Sequence, residues 1–317
     1  MSSLKFYKNV NIAPYTTFKI GGPAKYFFIA RSLEQLQAAL IWAQERKIKY
    51  FILGGGSNVL ISDQGFRGLV IQNQNSKIKI QNYKSKVKMI YADAGVTLGR
   101  LVNVVTQRGL TGLEWAAGIP GTLGGAIHGN AGWPSNKKNI SAVVRSVRVL
   151  ELGPKLKIKN YNHRACQFAY RHSVFKNRTD LVILSARLKL KRGDSKAIKK
   201  EIAQIIETRG HKIPSGFSAG CVFKNQLWTK KYYYLLKQYP ELKLVTKNGF
   251  IPAAWLIEKC GLKGKKLGQA QISPGHANFI INLGQAKAKD VQRLINLIKR
   301  TVKNKFKINL QEEIEII

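Results

Sequence analysis

The chain has 317 residues, 44% of them hydrophobic, which is enough apolar mass for two or three domains with buried cores and too much for a disordered chain. The 54 Lys and Arg against 16 Asp and Glu give a formal net charge of +38, a balance that draws anions, yet the lysines are spread over nearly every segment. No apolar run approaches the roughly 20 residues that span a bilayer, the first ten residues carry no secretory-signal pattern, and three widely spaced cysteines without a CxxC pair indicate neither a disulfide framework nor a zinc site, with a reducing cytoplasm the simplest compartment.

Residues 25–30 (KYFFIA) read as a strand, followed by Ser32 and Gln35 at capping-box spacing. Leu33, Leu36, Leu40 and Ala43 then recur at helical spacing. Tyr50 to Leu53 returns as a strand and runs into Gly54-Gly55-Gly56-Ser57-Asn58. Residues 68–71 and 86–92 read as further strands, and Thr97 to Arg108 as a helix closed by Gly109. Strands follow at 143–150 and 181–191, and Asp194 opens a helix to about Thr208. Gly210, Pro214 and Gly216 break the pattern and set a domain boundary there. Pro252 to Cys260 and Asp290 to Val302 read as helices, and Phe279 to Leu283 as a strand. Strands and helices in unequal runs indicate an α+β fold rather than one doubly wound sheet.

Two segments are rich in glycine: 54–58, and Gly118-Ile-Pro-Gly121-Thr-Leu-Gly124-Gly125-Ala-Ile-His-Gly129-Asn130-Ala-Gly132. Glycine lets a ligand approach the backbone N–H groups, and successive N–H groups in a turn make a concavity for a diphosphate. Neither segment is a Rossmann fingerprint or a P-loop. A single such loop is more often a tight turn; two in one chain, each expected to follow a strand, favour a dinucleotide.

With these motifs in order, the sequence resembles the UDP-N-acetylenolpyruvoylglucosamine reductase family. The match begins at Asn11-Ile-Ala-Pro-Tyr-Thr-Thr17-Phe18-Lys-Ile-Gly21-Gly22 and continues through 54–58, Gly118 to Gly132 and Tyr170-Arg171-His172-Ser173. It goes on at Ser218-Ala-Gly220-Cys221-Val-Phe223-Lys224-Asn225, Gly261-Leu-Lys-Gly264 and His276-Ala-Asn278-Phe279, and closes at Leu310 to Ile317. The passage from Arg209 to Ala219 is closer to the subgroup with the shorter substrate domain. The resemblance implies an FAD-binding module of the vanillyl-alcohol-oxidase (PCMH) type over 1–210, in two subdomains of about 1–73 and 74–210. A smaller α+β substrate domain would follow over 211–309, with 310–317 returning to the active site. It implies non-covalent FAD, NADPH as co-substrate, and reduction of UDP-N-acetylglucosamine enolpyruvate to UDP-N-acetylmuramate in peptidoglycan synthesis. Gly54, Gly55, Gly56, Ser57, Asn58, Gly118, Pro120, Gly121, Gly124, Gly125, Gly129 and Asn130 would hold the cofactor. Arg171 and Glu313 match two catalytic positions; at the third this chain has Cys221 where the family has serine. Lys212, Lys224 and Asn225 would hold the nucleotide-sugar.

The implied chemistry suits these residue types. Hydride transfer to the enolpyruvyl group develops charge on the substrate carboxylate, which the planar guanidinium of Arg171 and a protonated Glu313 would stabilise, and the Cys221 thiol would protonate the carbon bearing the ether. Without the resemblance, Arg171 reads as a surface or ion-pair residue, Cys221 as buried packing and Glu313 as one of a solvated acidic cluster with Glu312 and Glu315. Residues 226–252, rich in lysine and tyrosine, are an insertion that either covers the substrate cleft or runs as a surface excursion, the latter favoured. The alternatives are another flavin oxidoreductase with the same glycine loops, or a basic nucleic-acid-binding protein. For the latter, residues 228–239 are the one stretch that interleaves aromatics with lysines. The reading favoured here has no specific nucleic-acid partner and no membrane partner, and the five histidines show no metal-ligand spacing.

Overall fold

Ser32 starts the first helix as its spacing requires: Oγ accepts from the Gln35 N–H, 3.2 Å, and Leu36, Ala39, Leu40 and Ala43 form the buried face of Leu33–Glu45. The reciprocal bond lands one residue earlier than a capping box predicts, since Gln35 Oε1 accepts from Arg31 N. The structure, a computed structural model, describes residues 4–81, 87–133, 138–246 and 249–317. Residues 1–3, residue 86 at the start of an expected strand, and residues 247–248 in the 226–252 insertion lie outside the described residues.

The chain divides into two units. Met1–Val10, Ala24–Gly55 and Arg67–Arg209 form the first; Asn11–Pro23, Gly56–Phe66 and Gly210–Ile317 form the second. Segments 11–23 and 56–66 thus group with the C-terminal unit, whereas the sequence suggested a contiguous division near 210.

The first unit is built on two sheets. One has the order Tyr7–Asn11, Pro23–Ala30, Phe66–Asn73, Tyr50–Leu53, the last two parallel. The Leu33–Glu45 helix shares a core with Phe28, Leu69 and Ile71 of this sheet and with Leu150, Val182 and Leu184. The other sheet is antiparallel, in the order Lys157–Asn162, Val144–Glu151, Leu181–Arg192, Val87–Asp93, Ile78–Gln81. Leu98, Leu101, Val102 and Val105, one face of the Leu98–Gln107 helix, share its core. The Ser195–Lys212 helix starts where Asp194 accepts from Ala197 N, 2.7 Å, but continues through Gly210, where the sequence suggested a stop. One interior glycine costs a helix only about 1 kcal/mol, which flanking residues offset.

In the second unit three short antiparallel strands, Lys266–Leu267, Ala270–Ile272 and Ile280–Asn282, lie with the Ala288–Phe306 helix. That helix buries Val291, Leu294, Ile295, Ile298, Val302 and Phe306, an i, i+3, i+4, i+7 face whose burial contributes on the order of 10 kcal/mol before chain entropy is counted. Phe18, Ile20 and Leu60 belong to the same core. Glu315–Ile316 pairs in parallel with Val59–Leu60. The insertion is no surface excursion. Tyr232, Leu235 and Leu242 are buried in this core, with Trp228, Leu236 and Tyr239 packed against it, because the run from Lys230 to Gln238 is helical and turns one apolar face inward. Among the described residues no helix is long and apolar enough to cross a membrane.

Candidate functional site

In the first unit the two glycine segments meet backbone to backbone. A Cβ on Gly55 would stand 2.6 Å from Gly121 Cα, and one on Gly54 would stand 2.5 Å from Thr122 Oγ1, so neither position accommodates a side chain. The N–H groups of Gly55, Gly118 and Gly121 make no hydrogen bond with any described residue, and Gly55 and Gly118 are exposed. Together they form a set of backbone donors suited to an anion. The second half of the longer segment is not a loop. Thr122 caps a short helix, Leu123–Gly129, whose apolar Leu123, Ala126 and Ile127 are buried and override the low propensity of its glycines. Leu123, Gly124 and Gly125 direct their N–H groups to Val96 O, Ala94 O and Thr122 Oγ1, so Gly124 and Gly125 offer a ligand close approach rather than donors. Gly129 ends the helix, and Pro120 stands exposed in the preceding turn.

Asn130, at φ 44°, turns the chain out of this helix; its Nδ2 donates to Ala169 O, 2.8 Å, and its Oδ1 accepts from Ser141 N. Ser173 Oγ donates to His128 O, 2.8 Å. These bonds fix the turn that carries Arg171, itself left-handed at φ 52°, with Nη1 on Gly132 O at 3.0 Å. A non-glycine residue in that conformation is strained by about 1 kcal/mol or more and persists because its neighbours hold it. The structure therefore gathers Arg171 to the end of the second glycine segment.

In the second unit the segments that carry Cys221 and Glu313 lie side by side. Gly220, at φ 79°, turns the chain into a short extended run; Cys221 bridges to Phe279, and Glu313 N donates to Val222 O at 2.7 Å. Asn278, 3% exposed, clamps this run: Oδ1 accepts from Phe223 N at 2.9 Å and Nδ2 donates to Phe223 O at 2.8 Å. Lys224 N bonds Gln311 O, and Asn225 Oδ1 accepts from Ala253 N at the start of the Ala253–Lys259 helix. Gly56, Ser57 and Asn58 lie in this unit, and Asn58 Nδ2 donates to Glu313 O at 3.1 Å while Asn58 O accepts from Glu315 N. Glu312 is held by Lys299, 2.7 Å, and Glu313 is half-buried, so the acidic cluster is not uniformly solvated. Lys212 is exposed at the end of its helix. His276 Nδ1 accepts from Asn278 N, and burial pulls its imidazole below the usual histidine range.

Residues 211–317 match the family described as UDP-N-acetylenolpyruvoylglucosamine reductase, C-terminal domain, and residues 24–153 match the FAD binding domain. The UDP-N-acetylenolpyruvoylglucosamine reductase of Clostridium tetani is 39% identical over 306 residues, 96% of this chain and 89% of that protein. That of Solibacter usitatus is 36% identical over 304 residues, 96% of this chain and 94% of that protein. The chain belongs to the UDP-N-acetylenolpyruvoylglucosamine reductase family. A crystal structure of a family member, from Thermus caldophilus, matches with TM-score 0.74 at 31% identity, over 99% of this chain and 98% of that one.

Membership of this reductase family makes the chain an FAD-dependent oxidoreductase with an α+β fold. The residues present fit FAD: the backbone donors of Gly55, Gly118 and Gly121 have no acceptor among the described residues, and the close approach of Gly55 to Gly121 leaves no room for a side chain. Three contributors escaped the sequence reading. Asn278 lies in the quoted His-Ala-Asn-Phe run, which could have flagged it. Thr122 has the residue type of a helix cap. Arg209, against Gly118, carries no motif at all.

Proposed function

We propose that the chain reduces UDP-N-acetylglucosamine enolpyruvate to UDP-N-acetylmuramate with NADPH as the electron source, in the synthesis of peptidoglycan precursors. The observation that supports this reading is that the Glu313 N–H···O Val222 bond lays the segment carrying Glu313 beside the run that carries Cys221, a run clamped by Asn278. FAD, when bound, would supply the hydride-transfer chemistry between NADPH and the enolpyruvyl group. Gly54, Gly55, Gly56, Ser57, Asn58, Gly118, Pro120, Gly121, Gly124, Gly125, Gly129 and Asn130 would hold FAD. Arg171 would bind the substrate carboxylate, where the enolate charge develops, and a protonated Glu313 would donate a hydrogen bond to it; one such donor is worth roughly 3 kcal/mol in the transition state. The Cys221 thiol gives its proton to the carbon bearing the ether oxygen, and the thiolate recovers a proton from water. Lys212, Lys224 and Asn225 would bind the nucleotide-sugar. On this reading the ligands are small anions in the cytoplasm, and neither nucleic acid nor membrane takes part.

Glu313→Gln tests the assignment. Glu313 acts only where charge develops on the substrate, so stopped-flow absorbance should show flavin reduction by NADPH within about twofold of wild type. Reoxidation by the enolpyruvyl substrate should slow by about a hundredfold. Equal losses in both half-reactions would make Glu313 a strand residue only.

A further inference from the structure

Arg209 is absorbed by none of the roles above, and its surroundings are unusual for an arginine. Its Nη2 donates to Trp115 O at 3.1 Å, and its guanidinium lies 4.4 Å from the centre of the Trp133 ring. Its Nε is sealed from water and makes no hydrogen bond. Its Cδ packs 3.2 Å from where a Cβ on Gly118 would stand, across a turn at φ 74°. Among the described residues no carboxylate pairs with it, and burial lowers its affinity for its own proton. One face is held by the Trp133 ring and Nη2 by the Trp115 carbonyl, while most of the five donors have no acceptor among the described residues. A cation drawn out of water without a counter-ion is costly. The residue beside Trp133, Gly132, anchors Arg171, so Arg209 packs against both the turn at Gly118 and the strand residue next to the Arg171 anchor.

We propose that Arg209 is a cofactor-binding residue that forms a charge-assisted contact with the diphosphate of FAD, acting with the N–H groups of Gly118, Gly121 and Gly55. The counter-ion missing from the protein is then supplied by the ligand, and the stack on Trp133 holds the guanidinium rigid before the ligand arrives. The proposal rests on the FAD reading above.

The test is equilibrium binding of FAD and of ADP, which keeps the diphosphate without the flavin ring, to the flavin-free full chain and its Arg209→Met and Arg209→Lys variants. Arg209→Met should weaken both ligands about tenfold to a hundredfold, and Arg209→Lys should fall between, keeping the charge but losing the planar stack. Unchanged FAD affinity in Arg209→Met would overturn the proposal, and so would a loss for FAD with none for ADP. If wild type itself takes up neither FAD nor ADP, the FAD reading fails instead, and the proposal with it. Should Arg209→Met not fold, phenylglyoxal labelling of wild type with peptide mass mapping decides: Arg209 should be modified in the flavin-free protein and protected by ADP, and equal labelling with and without ADP would overturn the assignment.

Discussion

Replacing Gly55 by alanine tests whether the contact between the two glycine segments sets cofactor affinity. The new methyl would stand 2.6 Å from Gly121 Cα and 3.2 Å from Gly121 C. Non-bonded carbons settle at about 3.5–4.0 Å, so the two backbones must part by roughly 1 Å. Overpacking of this kind costs about 1–3 kcal/mol. If about 2 kcal/mol of it falls on the arrangement of the Gly55, Gly118 and Gly121 donors, the FAD dissociation constant rises about thirtyfold. Titration of the flavin-free protein with FAD, followed by flavin fluorescence, measures it, with circular dichroism and thermal melting of the flavin-free protein in parallel. Gly99→Ala is the control: Gly99 is exposed near the start of the Leu98–Gln107 helix with nothing within 4 Å of a new Cβ. Alanine there should leave FAD affinity unchanged and raise helix stability by up to about 1 kcal/mol. If Gly55→Ala binds FAD within twofold of wild type and melts at the same temperature, the close approach has no bearing on the cofactor.

Cys221→Ser should stay active, whereas Cys221→Ala should still accept electrons from NADPH but lose about a hundredfold or more in turnover with the enolpyruvyl substrate; retained turnover would reduce the thiol to packing. Alkylation of the native protein near pH 8 should map to Cys221 ahead of the others, because Cys166 is fully buried with its thiol pushed up to about 12 and burial also raises Cys260; uniform labelling by peptide mass would contradict this. The depressed affinity of half-buried His276 for its proton means the fold prefers the neutral ring: its contribution is present above the unfolded value of about 6.5 and is lost as pH falls through and below it. Urea unfolding at pH 7.5 and 5.5 should therefore show an acid loss that His276→Gln makes shallower, and an identical slope in the variant would remove His276 as its source. Leu235→Ala, inside the insertion at 0% exposure, should cost about 2–5 kcal/mol by urea unfolding, where a surface site would cost under about 0.5.

Local periodicity carried much of the fold. Leu36, Leu40 and Ala43, or Val291 to Val302, announce their buried faces through spacing alone, and Thr97 and Asp194 mark helix starts by residue type. What spacing could not reveal was non-local. Nothing about Phe18, Ile20 or Leu60 indicates that they share a core with residues near 280–300, because burial is decided by a partner more than 200 positions away. The helix at Leu123–Gly129 was hidden by its glycines, whose propensity is outweighed by a cap and three buried apolar side chains. The insertion misled through its lysines, which line the outer side of a run whose inner side is Tyr232, Leu235 and Tyr239. For the site, motif order led to Arg171, Cys221 and Glu313, but Arg209 is defined only by what surrounds it in space, Trp115, Gly118 and Trp133, and by nothing beside it in the chain.

The parallel pairing of Val59–Leu60 with Glu315–Ile316, flanked by Asn58 on Glu313 and by the Ser62 N–H on Ile317 O at 2.7 Å, bears on how this protein can be cut for study. An expression fragment drawn from the similarity boundary, residues 211–317, would omit that strand along with Phe18, Ile20 and Leu60. It would open a sheet edge beside exposed core apolar surface, a template for self-association, and would strip Glu313 O of its bond from Asn58. Supplying residues 11–66 as a separate peptide should restore the missing partner and suppress the aggregation.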